Sequence, residues 1–324
     1  MPDGENVATL VSETGQTLLE LPFDGRGHGG AVSPDGRFCA LFARRPGTTI
    51  VIVDRQAGMA RWIVRARRDR HFFGHGFYAS SGRLLFASEN DFDRGRGVLG
   101  IYDVTDEYRR VGEFETFGIG PHQCLLSLDG RCAIVANGGI ETHPDFPRQK
   151  LNLSTMSPNL ARIDIRTGEC LERHALPSDL RQLSLRHIAE TPDGSVWIGG
   201  QYQGQMEDDI PVLAVGRPGA PLKSVDTLGM DGRRGRRYIG SVAANPKTGQ
   251  VAVTSPRGGL AHILDGRSGE VARRLEIDDV CGIAPYQEGF LFSDGKGGLW
   301  HNQNPLLQMP GHAWDNHLTA LGPF

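Results

Sequence analysis

Apolar residues come in short runs cut by tight turns along the whole chain. No segment sustains the 3.6-residue period of an amphipathic helix, so the pattern predicts strands joined by hairpins. Phe38–Phe42, Leu84–Ala87, Ala133–Ala136 and Val196–Ile198 each follow an Asp-Gly, Pro-Asp-Gly or Ser-Gly turn, and Val251–Val253 follows Lys247-Thr248-Gly249. Such turns favour tight hairpins because glycine tolerates the positive φ they require. A polar loop and a further strand come next: Thr49–Val53, Val98–Tyr102, Ala161–Ile165 and Ala261–Leu264. Another turn then leads to a fourth, outer strand.

These units repeat. Gly27-His28-Gly29 leads to Ser33-Pro34-Asp35-Gly36, Gly74-His75-Gly76 to Ser81-Gly82, and Pro121-His122 to Asp129-Gly130, with the histidines 47 residues apart. Arg186-His187 leads to Pro192-Asp193-Gly194 after a longer interval, which fits an insertion at about 137–158. Weaker copies start at Ser241 and Cys281. Four antiparallel strands per unit of roughly 40–50 residues describe a β-propeller blade. Six units start near residues 28, 75, 122, 187, 241 and 281. A seventh is assembled from the termini, with Trp314–Leu321 as inner strand and Asn6–Val11 and Gln16–Leu21 as third and outer strands. The expectation is an all-β, seven-bladed propeller over 1–324, a single domain with an insertion in blade three, whose ends close the ring and hide open sheet edges.

Composition narrows the partners. Hydrophobic residues make up 39% and charged residues 23% of 324, enough for a sizeable core, which excludes a disordered chain. The net charge of −3 gives no basic field for bulk nucleic-acid binding. No apolar run is long enough for a membrane-spanning helix. The five cysteines form no Cys-x-x-Cys pair, so neither a zinc ribbon nor a thioredoxin-type motif is present. There is no Gly-x-Gly-x-x-Gly between strand and helix and no Gly-x-Ser-x-Gly elbow. The first residues show neither a basic segment nor an apolar one, so the reading expects a cytoplasmic chain or one whose export signal has been removed.

The repeat places the candidate chemistry. The first strand of a blade lies nearest the axis, so His28, His75, His122, His187 and His317 should gather at one mouth of the central channel, with Ser241 and Cys281 at the equivalent places. Neutral imidazole is a frequent ligand for copper, iron and zinc. With bonds of about 2.0–2.1 Å, five rings cannot all hold one ion. The loops after the second strands should crown the same mouth, which makes Arg45, Glu89, Asn90, Asp91, Asn137, Gln201, Tyr202 and Arg257 secondary candidates. A carboxylate at Glu89 or Asp91 would favour iron or zinc, and an inward Cys281 thiolate would favour copper. His143, in the insertion, suits a flap over the mouth. The alternative, that each imidazole packs between blades and donates to a neighbouring carbonyl, stays open at this point.

Several motifs also carry a family resemblance: Arg-Gly-His-Gly at 26–29, Gly-His-Gly at 74–76, Ser-Glu-Asn-Asp at 88–91, Gly-Ile-Gly-Pro-His at 118–122, Ala-Asn-Gly-Gly-Ile at 136–140, Gln-Tyr-Gln-Gly at 201–204, Ser-Pro-Arg-Gly-Gly at 255–259 and Trp-Asp-Asn-His at 314–317. In this order, over nearly the whole chain, they resemble a bacterial domain-of-unknown-function family, number 1513. The resemblance implies a periplasmic, propeller-like protein, exported by a twin-arginine signal that this sequence lacks. It also implies a setting beside imelysin-like proteins implicated in iron uptake.

The reading expects an exported propeller that binds a transition metal, copper or iron and less so zinc, through its histidine ring. It leans to an accessory, non-catalytic role in metal handling or uptake. One alternative is a metal-assisted enzyme of lactonase or lyase type, with Glu89, Asp91 and Asn137 joining the histidines and Arg45 or Arg257 fixing an anionic substrate. Another is a metal-free interaction platform whose insertion contacts a partner such as an imelysin-like protein.

Overall fold

A computed structural model describes residues 4–146 and 149–321. Its strands fall into six four-stranded antiparallel sheets and one two-stranded sheet. The pair is β1 (Val7–Val11) and β2 (Thr17–Pro22). Blade one is β3 (Gly27–Val32), β4 (Phe38–Ala43), β5 (Thr49–Asp54) and β6 (Met59–Arg65). Blade two is β7 (Arg70–Tyr78), β8 (Leu84–Asp91), β9 (Arg96–Asp103) and β10 (Arg109–Glu115). Blade three is β11 (Pro121–Leu126), β12 (Cys132–Asn137), β13 (Asn159–Asp164) and β14 (Cys170–Ala175). Blade four is β15 (Leu183–Glu190), β16 (Val196–Tyr202), β17 (Leu213–Gly216) and β18 (Lys223–Val225), followed by the short helix α1 (Gly229–Arg234). Blade five is β19 (Ser241–Ala244), β20 (Gln250–Ser255), β21 (Leu260–Asp265) and β22 (Val271–Glu276). Blade six is β23 (Val280–Tyr286), β24 (Gly289–Asp294), β25 (Gly298–His301) and β26 (Asn304–Gln308).

Each sheet runs in chain order, so every blade is a local meander and the non-local work is done by packing between blades. Phe42, Ile50 and Ile52 of blade one meet Phe72, Leu85 and Tyr102 of blade two. Ile134 and Leu160 of blade three meet Leu185 and Ile198 of blade four. The middle strands are therefore buried on both faces, and β5 is buried at all six positions. The outer strands alternate, as β14 does, because only one of their faces is covered.

The fold is a β-propeller, but seven full blades are not formed. β1 and β2 pair only with each other, and Trp314–Leu321, expected as an inner strand, is not a strand. This segment is nevertheless held near the axis. The Cys281 thiol lies 3.4 and 3.2 Å from the carbonyls of Trp314 and Asp315, and the Trp314 N–H donates to the Asp294 carbonyl at 3.3 Å. These bonds are thus to a thiol and to the carbonyl at the end of β24 rather than to a strand ladder. On the outside, β1 and β2 place Ala8, Leu19 and Leu21 against Cys39, Val51 and Val53 of blade one. A cavity of about 1180 Å³ separates this pair from the C-terminal segment and blade six, lined among others by Phe23, Leu41, Leu299 and Trp314.

Three segments expected as loops have residues in strands. β8 continues through Glu89, Asn90 and Asp91, β16 continues through Gln201 and Tyr202, and β12 ends on Asn137. Ladder pairing explains the first, since Asp91 stands opposite both Arg70 of β7 and Arg96 of β9. The connection from β12 to β13 is the long one expected for blade three. Asn152 donates to the Gly139 carbonyl and accepts from the Glu141 N–H, folding the connection onto itself.

Candidate metal centre

Five imidazoles meet at one end of the axis. Four come from the innermost strands of consecutive blades and the fifth from the C-terminal segment. The His28 ring lies 4.3 Å from His317, 4.8 Å from His75, 5.5 Å from His122 and 6.2 Å from His187, centroid to centroid. His75 is 4.7 Å from His317, and His122 is 4.8 Å from His187. Ring nitrogens of His28, His75 and His122 all lie within 4.8 Å of one another, and so do those of His75, His187 and His317. The alternative of separate rings each packed between blades is thereby removed.

A shared backbone device aims these side chains. Four of the inner strands slip register against their neighbours at or beside the histidine. His28 and Gly29 lie between the pairs Gly27–Ala43 and Gly30–Leu41, and Phe73, Gly74 and His75 between Phe72–Glu89 and Gly76–Ala87. His122 is the extra residue of β11, and Arg186 that of β15. Bulges re-aim side chains that strict alternation would send to opposite faces. Arg186 and His187 are neighbours, yet both reach the cluster. The glycines allow the rings to approach. A Cβ on Gly29 would stand 2.7 Å from Nδ1 of His75, and one on Gly74, at φ +99°, would stand 2.6 Å from the His28 ring. Repeat spacing located the histidines, but the bulges left no signal beyond those flanking glycines.

The rings are neutral. Burial, followed by repulsion from the neighbouring imidazoles, holds His28, His75 and His187 well below the ordinary histidine range. For His122, burial is joined first by Arg186. Burial lowers His317 to about 4, against the opposing pull of Asp315. His28 Nδ1, His75 Nε2, His122 Nε2 and His187 Nδ1 are buried with no hydrogen-bond partner, in a class of atoms that is normally paired. Neutral imidazoles with free nitrogens are what metal ligation needs. Nε2 of His28 and Nε2 of His317 stand 3.3 Å apart, close to the edge of a tetrahedron with metal–nitrogen bonds of about 2.0–2.1 Å. His122 differs. Nη1 of Arg186 donates to its Nδ1 at 3.2 Å, which leaves the ring proton on Nε2 and makes that nitrogen a donor.

Cations surround the cluster. Arg186 is pushed down to about 10 by burial and by Arg45. Desolvation and repulsion from Arg186, Arg257 and Arg45 lower the Lys150 ammonium. The Arg257 guanidinium lies over the Tyr238 ring at 4.2 Å, and Lys150 reaches Gln203 at 2.6 Å.

Other expected site residues are engaged elsewhere. Glu89 accepts from Tyr102 at 2.6 Å and Arg110 at 3.0 Å, and Asp91 pairs with Arg70 at 2.8 Å and Arg96 at 2.9 Å. Both carboxylates are buried in blade two, and the two histidine groups contain neither. Cys281 is likewise outside them. Burial pushes its thiol up to about 12, so its sulfur anchors the C-terminal segment as a neutral thiol rather than a thiolate. Asn137 spans Thr116 and Asn159. Asn90 donates to Nε2 of His71 at 3.0 Å and to the Thr142 carbonyl, tying blade two to the long connection. On that connection, His143 packs edge-on to Phe92. Gln201 donates to the Ile239 carbonyl, and Tyr202 to Asp208. Arg45 has no ion-pair partner among the described residues, and burial lowers its pKa.

A propeller whose axis is closed by histidines defines the class. The chain belongs to the family described as protein of unknown function (DUF1513), whose model matches residues 21–321. No curated protein matches it. Among solved structures it is similar to Kuenenia stuttgartiensis hydrazine synthase, at 16% identity and a TM-score of 0.68, over 89% of this chain and 86% of that one. At that identity the likeness concerns the fold.

Proposed function

We propose that this propeller binds a transition-metal ion among the axial histidines and serves metal handling or uptake rather than catalysis. The observation that carries the reading is the convergence of five neutral imidazoles, four of them with a buried and unpartnered ring nitrogen. The ligand set we favour is His75, His187 and His317, joined by His28 across its 3.3 Å approach to His317. His122 stands aside because Arg186 fixes its proton on Nε2. With Glu89, Asp91 and Cys281 engaged elsewhere, the donors are imidazole alone. Such a set suits copper, iron and zinc, with copper the tightest divalent ion of the three. The lactonase-like alternative loses its carboxylates by the same facts. The periplasmic setting and an imelysin-like partner rest on the family resemblance. We also read β1, β2 and 314–321 as an incomplete seventh module that closes the ring.

The test is elemental analysis of gently purified protein, followed by titration of the metal-free form with Cu²⁺, Fe²⁺ and Zn²⁺. The expected result is one or more equivalents bound, with affinity reduced at least about tenfold in a His75→Ala, His187→Ala double variant. Protein that is isolated without metal and takes up none of the three would overturn the reading.

A further inference from the structure

Of the cations around the histidines, Arg44 and Arg26 pair with Asp315, but the collar of Arg45, Lys150, Arg186 and Arg257 has no acidic partner among the described residues. Among the described residues, no carboxylate lies within 4.0 Å of a charged nitrogen of Arg45, Lys150, Arg186 or Arg257, although ion pairs are plentiful elsewhere in the chain. These four come from separate places: the β4–β5 connection of blade one, the long connection of blade three, the inner strand of blade four and the turn after β20. Geometry links them. Lys150 bonds to Gln203, which donates to the Gln201 carbonyl, and Gln201 bridges to Tyr238, over whose ring Arg257 lies. Arg186 and Arg45 add to the repulsion on Lys150. Arg186 is the most exacting member. Its Nε is buried with no partner, and among the described residues its side chain donates to a neutral ring, Nδ1 of His122. A buried guanidinium with a free donor is expensive unless something negative meets it. The planar fork of arginine matches oxygen anions bidentately. His122 Nε2–H, on the side of its ring away from Arg186, is also without a partner.

We infer that this collar is a binding site for a small multivalent oxygen anion, such as a polycarboxylate or phosphate, seated on Arg186 directly above the histidines. Arg45, Lys150 and Arg257 complete its charge. The long connection closes one side, because Lys150 is already fixed to Gln203 of blade four. That such an anion accompanies the metal, as a negatively charged chelate drawn past a mouth that would repel a bare cation, rests on the metal reading above. The anion site itself does not.

The experiment separates the two. Full-length protein, dialysed free of metal and chelator, is titrated calorimetrically with citrate and, separately, with inorganic phosphate. The expected result is binding of at least one of them at a Kd below about 1 mM, weakening as salt is raised. Arg186→Gln and, as an exposed site that leaves folding undisturbed, Arg257→Gln should each weaken it about tenfold. Citrate bound alone assigns a polycarboxylate, and phosphate bound alone or equally assigns a free oxyanion. Binding of neither anion, or affinities within about twofold of wild type in both variants, overturns the inference. A parallel Zn²⁺ titration of wild type reports on the histidines alone, so a failed metal reading and a failed anion site give different results.

Discussion

Strand β7 contributes to two polar clusters built on opposite principles. At its start, Arg70 is 2% exposed and enters a closed network with Asp69, Asp91 and Glu113, beside Glu89, Arg96 and Arg110. Every charge there has an opposite charge beside it. Five residues on, His75 enters a cluster of five like groups that repel one another if protonated, beside four cations that form no ion pair among the described residues. Each cluster holds an arginine whose buried Nε has no hydrogen-bond partner, but the first sets Arg70 against three carboxylates and locks blade two, whereas the second also leaves four ring nitrogens without partners. Buried polar groups are normally paired inside the protein, so the contrast separates a structural role from a ligand site. It also explains why Glu89 and Asp91, which read as mouth residues in sequence, are removed from the chemistry.

The sharpest way to break this contrast is Arg70→Met. It leaves two buried carboxylates without their central cation, and stability should fall by about 3–5 kcal/mol in urea unfolding, with metal content per folded molecule retained. A loss below about 1 kcal/mol would show that the network is not the lock described. Acid should divide the clusters next. The folded pKa values of His75 and His187 lie below the unfolded value near 6.5, so the unfolded chain binds protons first as pH falls. Their stability contribution is complete above that pH and declines below it, by up to about 1.4 kcal/mol per pH unit for each ring. Glu113 runs later. Burial opposes its ionisation, but Arg110 and Arg70 outweigh burial and hold it at about 2, so its contribution persists until pH falls below about 4.5. Thermal unfolding of the metal-free protein from pH 7.5 to 4.5 should show the first decline without the second. His75→Gln with His187→Gln should make it shallower, the remaining decline coming from His28, His122 and His317. The smallest effect concerns the thiols. Cys170 is exposed and Cys281 is buried, so a thiol reagent at pH 8 should label Cys170 in the native protein and reach Cys281 only on unfolding. Rapid native labelling of Cys281 would contradict its role as an anchor for Trp314 and Asp315.

Much of this was legible before any coordinates. The Asp-Gly turns and apolar runs mark strands β4, β5, β12 and β20 to within a residue or so, because hairpin chemistry and alternation are local. The 47-residue spacing placed His28, His75 and His122 at equivalent positions, and symmetry brought them together. Cys281 occupies the equivalent position as well, but its sulfur serves the backbone of 314–315. Position in a repeat does not say which neighbour a side chain meets. Glu89 and Asp91 were misplaced because nothing local reveals that Arg70, Arg96 and Arg110 converge on them from other strands.

The sequence by itself determined six blades, their order and the gathering of imidazoles, but not that the expected seventh would stay unformed, since the six follow from short-range turn chemistry repeated around an axis. Tertiary structure alone decided which of those groups are left unsatisfied. The register slips in β3, β7, β11 and β15, the seating of His317 without a strand, and the placing of Arg186 against His122 all depend on contacts between blades. A hydrogen bond or an ion pair closes only when residues far apart in the chain arrive within about 3 Å, and no repeat pattern encodes that distance.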